Sequence, residues 1–242
     1  MSPGSPAVLL EDEALLVVDK PAGRLVIPGR TAAEPSLRQE LSARHGPLWV
    51  VHRLDRGTSG VLVFARTAAA HRALNLQFER GEPRKTYVAL VAGLPPADLV
   101  VELAIAPGRK GRMRPAWPGE AGGKPASTAF RLVEAFPARG GRPAMSLLEA
   151  RPATGRTHQI RVHLLAAGHP LAIDPDYGEE APLRDGAGAV VLARTPLHAA
   201  RLELRHPGGG DLVVEAPAPP DLLAALALLR GEALSCGRGP GS

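Results

Sequence analysis

Glycine and proline punctuate this chain so densely, 27 and 25 of 242 residues, that most apolar runs between them have the length of strands and few have the length of helices. Residues 14–19, 61–65, 87–92, 100–105, 128–135, 145–150, 199–204 and 212–215 read as strands. Helical periodicity is confined to four places. Ser36 and Gln39 form a capping box ahead of a short helix ending near Gly46. Residues 68–80 place Leu74 and Phe78 on one face, with Gly81 as the stop. Residues 157–167 align Ile160, Leu164 and Ala167 before Gly168 and Pro170 end the helix, and residues 219–230 form a last amphipathic helix. Clustered strands with scattered helices predict an α+β fold: a mixed, largely antiparallel sheet with peripheral helices. The Gly-, Arg- and Pro-rich stretches 107–123 and 138–143 read as loops projecting from one domain.

At 45% apolar residues the chain has enough material for a sizeable core. Its formal charge of +5 favours a polyanionic partner, although the excess of Arg over Lys is also what a GC-rich genome produces. Cys236 is the one cysteine, so an internal disulfide and a cysteine metal cluster are excluded within this sequence, and a cytoplasmic setting fits. The first residues lack a basic region ahead of the apolar ones, and Glu11-Asp12-Glu13 breaks the apolar stretch at once, so no signal peptide is expected. No run of eighteen apolar residues suggests a membrane span.

One string concentrates chemistry in a turn: His52-Arg53-Leu54-Asp55-Arg56-Gly57-Thr58-Ser59-Gly60, flanked by apolar residues 48–51 and 61–65. A carboxylate is thereby held out from a rigid sheet among cations, where catalytic groups tend to sit. Taken alone, an Asp beside Gly and Thr also serves to cap a turn. About a hundred residues downstream, Gly155-Arg156-Thr157-His158-Gln159-Ile160-Arg161-Val162-His163 offers the cation that such a carboxylate needs.

These two blocks, together with Leu16-Val17-Val18-Asp19-Lys20-Pro21-Ala22-Gly23, Lys85-Thr86-Tyr87, Gly168-His169-Pro170, Asp176-Tyr177-Gly178 and Leu197-His198-Ala199, resemble the RluA-type RNA pseudouridine synthases in content and in order. The resemblance runs from about residue 11 to 217. It implies a catalytic domain over residues 11–232, with disordered ends at 1–10 and 233–242 and no room for the small basic module that often precedes this domain in relatives. Two departures, Arg24 after Pro21-Ala22-Gly23 and Ala172-Ile173 before Asp174, bear on loop shape and substrate choice.

The implied reaction isomerises specific uridines in structured rRNA or tRNA to pseudouridine. The bond at N1 breaks, the uracil turns, and the base rejoins the sugar through C5. Nothing is oxidised, so no cofactor and no metal is expected, and the sequence carries no P-loop, no dinucleotide fingerprint and no zinc signature. The resemblance makes Asp55 the catalytic carboxylate, Arg156 its pairing and orienting cation, and Tyr87 the residue that stacks on the uracil or assists removal of the C5 proton. The base must be extruded from its helix or loop. His52, Arg53, Arg56 and Thr58 are candidates for the wedge and the contacts around it, and His158 is a further candidate beside Arg156. Arg109, Lys110, Arg112 and Arg114 read either as a grip on the flanking backbone or as a solvated cationic loop. His158 and His163, five apart, do not share a helix face and are expected to make structural hydrogen bonds.

Two other readings predict different outcomes. A catalytically inactive RNA-binding or assembly protein of the same fold would lack Asp55, Tyr87 or Arg156, all of which are present, and a nuclease using Asp55, Asp174 and Asp176 with a metal would lose activity to a chelator. RNA is the expected partner, with a monomeric state, no obligate protein partner and no membrane.

Overall fold

The computed structural model describes residues 6–29 and 35–232. Its centre is β4 (Ser59–Ala65), whose seven residues are all buried. On one side β4 pairs antiparallel with β2 (Leu15–Lys20), and β2 in turn pairs with β1 (Ala7–Glu11). On the other it meets β13 (Leu197–Arg205) in parallel through His198↔Ser59 and Ala199↔Gly60. The sheet continues antiparallel through β5 (Arg84–Ala92), β10 (Met145–Pro152), β9 (Ser127–Phe136) and the edge strand β6 (Asp98–Glu102). Two short partners complete its ten strands: β3 (Trp49–Val50) on β4 and β14 (Asp211–Glu215) on β13. Two separate hairpins, β7 (Ile105–Pro107) with β8 (Met113–Pro115) and β11 (Leu183–Arg184) with β12 (Val190–Leu192), stand beside it.

The central strands are apolar on both faces because both faces are covered. Side chains alternate along a strand, so Leu15, Val17, Val61 and Val63 pack with Leu74 of α2 (Ala68–Arg80), while Leu16, Val18, Leu62 and Phe64 pack with Leu37 and Leu41 of α1 (Leu37–His45). In β5, Ala89 and Val91 meet Ile160 and Leu164 of α3 (Gln159–Ala166), and Leu90 meets Leu222 and Leu226 of α4 (Pro220–Arg230). No helix among the described residues is long and apolar enough to cross a membrane.

The α+β architecture is as the sequence predicts, and the Ser36–Gln39 capping box and the Gly81 stop are both formed. Three expectations are corrected. Residues 7–10, expected within the disordered end 1–10, belong to β1, because Leu9 and Leu10 pack against the core cluster of β2 and β4. The expected strand 100–105 divides into β6 and β7, and the expected loop 107–123 holds the β7–β8 hairpin, with three-residue arms too short to leave a periodic signal. The third helix starts at Gln159, since His158 adopts φ 55°, ψ 19° and cannot be its first turn. Residues 1–5 and 233–242 lie outside the described residues.

Candidate active site

Asp55 lies in the loop between β3 and β4, and the loop is fastened at three levels. Leu54 is 5% exposed in the α1 cluster, which leaves exposed Arg53 and half-buried Asp55 on either side of it. Beneath them Lys20, at the end of β2, is fully buried, and its Nζ donates to the carbonyls of Thr58 (2.7 Å), Pro21 (3.0 Å) and Arg56 (3.2 Å). Burial pushes this lysine down to about 7 against the pull of Asp55. At the side, Arg56 Nε donates to Gly23 O (3.0 Å) and Gly23 N–H donates to Arg56 O (2.7 Å). The exit into β4 requires Gly60, at φ 112°, because a Cβ there would come within 2.2 Å of the Ala199 carbonyl of β13.

The opposing wall comes from α3. Arg161 Nη1 is 3.7 Å from Asp55 Oδ2, and His158 Nε2 is 3.9 Å from the same oxygen. Arg161 is itself held rigidly: Nε donates to Asp174 Oδ2 (2.7 Å), Nη2 donates to Asp174 Oδ1 (2.5 Å) and Asp176 Oδ2 (2.7 Å), and the guanidinium lies 4.8 Å over the Tyr177 ring. Burial opposes the charge, but the bonds to Asp174 and Asp176 outweigh it and hold the Arg161 pKa above its ordinary value. Tyr177 Oη accepts from Met113 N–H (2.6 Å) and lies 2.8 Å from His158 Nδ1. With the hydroxyl donating to Nδ1, His158 carries its proton on Nε2, toward Asp55. Burial, first, lowers the His158 pKa, against the attraction of Asp55.

A cavity of about 660 Å³ is lined by Asp55, Thr58, Tyr87, Arg161 and His158, and also by Lys85, Thr154 and Arg156. Burial and then the charge of Asp55 push the Tyr87 hydroxyl above its ordinary pKa, so it stays protonated. The Thr58 hydroxyl is buried, borders the cavity and has no hydrogen-bond partner among the described residues.

The sequence-derived site residues separate into groups. Asp55, Tyr87, Arg156, His52, Arg53, Thr58 and His158 all border the cavity. The pairing expected of Arg156 falls instead to Arg161: Arg156 is exposed, its Nε donates to Pro125 O (3.1 Å), and Arg161 is the cation within 4.0 Å of Asp55 among the described residues, with the His158 ring beside it. Physically, Arg156 precedes the helix in an open turn, while Arg161 lies inside α3, turned toward the Asp55 loop and the Asp174–Asp176 turn. His52 is not a free wedge. Its Nε2 accepts from Val63 N–H (3.0 Å), its ring stacks on Phe78 at 4.9 Å, and burial, with Lys85 nearby, pushes it down to about 3. Arg56 ties the loop to Gly23 and does not border the cavity. Arg109, Lys110, Arg112 and Arg114 sit on the β7–β8 hairpin, away from the cavity lining. Arg112 is 3.5 Å from Asp176, and Arg114 makes a bidentate pair with Glu120 (2.6 and 2.9 Å). Arg109 and Lys110 are exposed. His163 is buried between Thr128 Oγ1 (2.9 Å) and Leu103 O (3.0 Å), a structural role as expected.

Sequence reasoning passed over Arg161, Lys20 and Tyr177 as members of the site. The signal for Arg161 is present: an arginine between Ile160 and Val162 in an apolar helix needs buried carboxylates, and Asp174 and Asp176 come soon after it in the chain.

Residues 14–166 match the family model described as RNA pseudouridylate synthase. A ribosomal large subunit pseudouridine synthase D from Nitrosomonas europaea is 42% identical over 232 residues, covering 92% of this chain and 65% of the relative, so the chain spans less than two thirds of that protein's length. A dual-specificity RNA pseudouridine synthase RluA from Salmonella typhi is 38% identical over 87% of this chain and 92% of the relative. Among solved structures, human RNA pseudouridylate synthase domain containing 4 superposes with a TM-score of 0.72 at 25% identity, covering 93% of each chain.

Proposed function

The chain belongs to the RluA-type RNA pseudouridine synthase family, and on that premise we propose that it isomerises specific uridines in structured rRNA or tRNA to pseudouridine. The observation that carries the reading is the pairing of Asp55 with Arg161, itself clamped by Asp174 and Asp176, in the lining of a cavity that Tyr87 also borders.

In this reading the target uridine leaves its stack and enters the cavity, and exposed Arg53 occupies the gap left behind. The Asp55 carboxylate acts on the sugar or the base, and Arg161 pairs with it and aims it as water is excluded. The N1–C1′ bond breaks, the uracil rotates against the Tyr87 ring, the C5–C1′ bond forms, water aligned by the Tyr87 hydroxyl takes the C5 proton, and N1 gains a proton, so the product is an isomer of the substrate. Thr58 Oγ1, buried without a protein partner among the described residues, supplies a hydrogen bond to the base or ribose. Atoms and electrons balance without a cofactor. RNA is the partner, in the cytoplasm, and the protein works as a monomer through a catalytic domain that runs from β1 to residue 232.

Mapping pseudouridine across total RNA from cells with and without this gene tests the reading. One or a few sites should disappear and return when the wild-type gene is restored. An unchanged map, together with no conversion of that RNA by the purified protein, overturns it.

A further inference from the structure

The part of the cavity lining formed by Lys85 and Arg156 has a different electrostatic character from the Asp55–Arg161 pair. Lys85 lies two residues before Tyr87 on β5, hence on the same face and about 7 Å along the strand. It is half-buried, and its Nζ donates to Thr154 O (2.9 Å). Arg156 lies on the same turn as Thr154, with Nε spent on Pro125 O and its backbone N–H on Gln159 Oε1 (3.0 Å), which leaves the two terminal nitrogens of the guanidinium without a protein partner among the described residues. The two cations are close enough that Arg156, after burial, helps to lower the Lys85 pKa. No carboxylate lies within 4.0 Å of either among the described residues, in contrast to Arg161, which has three. Between them is Gly155: a Cβ there would lie 3.7 Å from Lys85 Nζ, so glycine leaves the ammonium uncovered on that side.

A half-buried ammonium beside an exposed guanidinium, with no carboxylate within 4.0 Å of either among the described residues, marks a place where a ligand brings the counter-charge. The cavity, at about 660 Å³, is in the range that encloses a whole small molecule, so it has space for more than a base. We propose that Lys85 and Arg156 form a phosphodiester subsite that holds the RNA backbone next to the extruded uridine. This deepens the isomerase reading and rests on it for the identity of the strand. The turn then explains the presence of Arg156: it is a backbone clamp, and Asp55 is served by Arg161.

The test is the salt dependence of binding of the full chain to single-stranded dodecauridylate, measured by fluorescence anisotropy. Lys85→Gln and Arg156→Gln should each lower the slope of log affinity against log salt by about 0.7, the amount associated with one phosphate on a single strand. Because both cations serve one phosphate, the double variant should lower it no further, and Lys85→Arg should retain the wild-type slope. Arg156 is exposed, so its variant carries the test if Lys85→Gln does not fold. Wild-type slopes in both single variants overturn the subsite. So does binding of inorganic phosphate that is lost in the variants while their dodecauridylate slopes stay unchanged, since that describes a site for free phosphate. Pseudouridine formation in cellular RNA is scored separately. Activity with unchanged slopes rejects the subsite alone, whereas reduced slopes without activity in the wild type reject the isomerase reading and retain a backbone clamp.

Discussion

The Asp55 loop and the β7–β8 hairpin are both short, Gly-containing, basic turns, and the structure treats them in opposite ways. The first has Lys20 bonding three of its surrounding carbonyls, Leu54 in the core and Arg161 facing its carboxylate. The second carries Arg109 and Lys110 exposed, with Lys110 at φ 54° and Trp117 75% exposed just beyond it. It is joined to the site through Met113 N–H on Tyr177 and through Arg112 beside Asp176. Bond making at one carbon requires a group held to within fractions of an ångström. Attraction to a phosphate backbone is long-ranged and tolerates motion.

If that contrast is right, Asp55→Asn should be the most damaging change, lowering turnover by about 10⁴-fold or more while RNA affinity is kept, because shape and much of the hydrogen bonding survive. Single-turnover conversion measured beside binding decides this, and appreciable turnover by the purified variant would break the assignment of Asp55.

Lys20→Met attacks the support and leaves the carboxylate in place. Three carbonyls lose their donor, so the unfolding free energy should drop by about 2 kcal/mol, and displacement of the loop should slow turnover about 10- to 100-fold. The effect depends on pH with a definite sign. The folded pKa of about 7 lies below the ordinary 10.5, so between those values the unfolded chain binds the extra proton and the stability contributed by Lys20 rises with pH. Urea unfolding at pH 7 and pH 9 should show wild type gaining on Lys20→Met at the higher pH, and a difference that shrinks would reverse the inference.

Tyr177→Phe cuts the connection between the two regions. Met113 N–H loses its acceptor and the His158 tautomer loses its anchor, which should cost about 1–2 kcal/mol of stability and lower kcat more than it raises KM. A change confined to KM would make Tyr177 a hairpin support alone. The smallest effect belongs to the hairpin tip: Arg109→Ala should reduce the salt slope of RNA binding by about 0.7–0.9 and raise KM with little change in kcat. A large fall in kcat would show that the hairpin is part of the precise apparatus.

Much of this was legible in the order of residues. Strand and helix positions arise from local pattern, since apolar runs bounded by glycine and proline, the capping box at Ser36 and the stop at Gly81 act within a few residues of one another. Asp55, Tyr87 and the Arg156 turn were found because each lies in a distinctive block, and all three border one cavity. Which arginine faces Asp55 was not legible. Arg156 and Arg161 are five apart in one basic string, and the choice depends on His158 taking a left-handed conformation that delays the helix to Gln159. It depends equally on Asp174 and Asp176 arriving from another turn to hold Arg161. The role of Lys20 was hidden for the same reason, since its partners at Arg56 and Thr58 are 36 and 38 residues away. By itself the sequence determined most of the longer elements, the fold class and the chemical groups available, because those depend on short-range pattern and side-chain type. The tertiary structure alone decided which charge neutralises which, because burial and the meeting of distant carboxylates, carbonyls and cations set that balance.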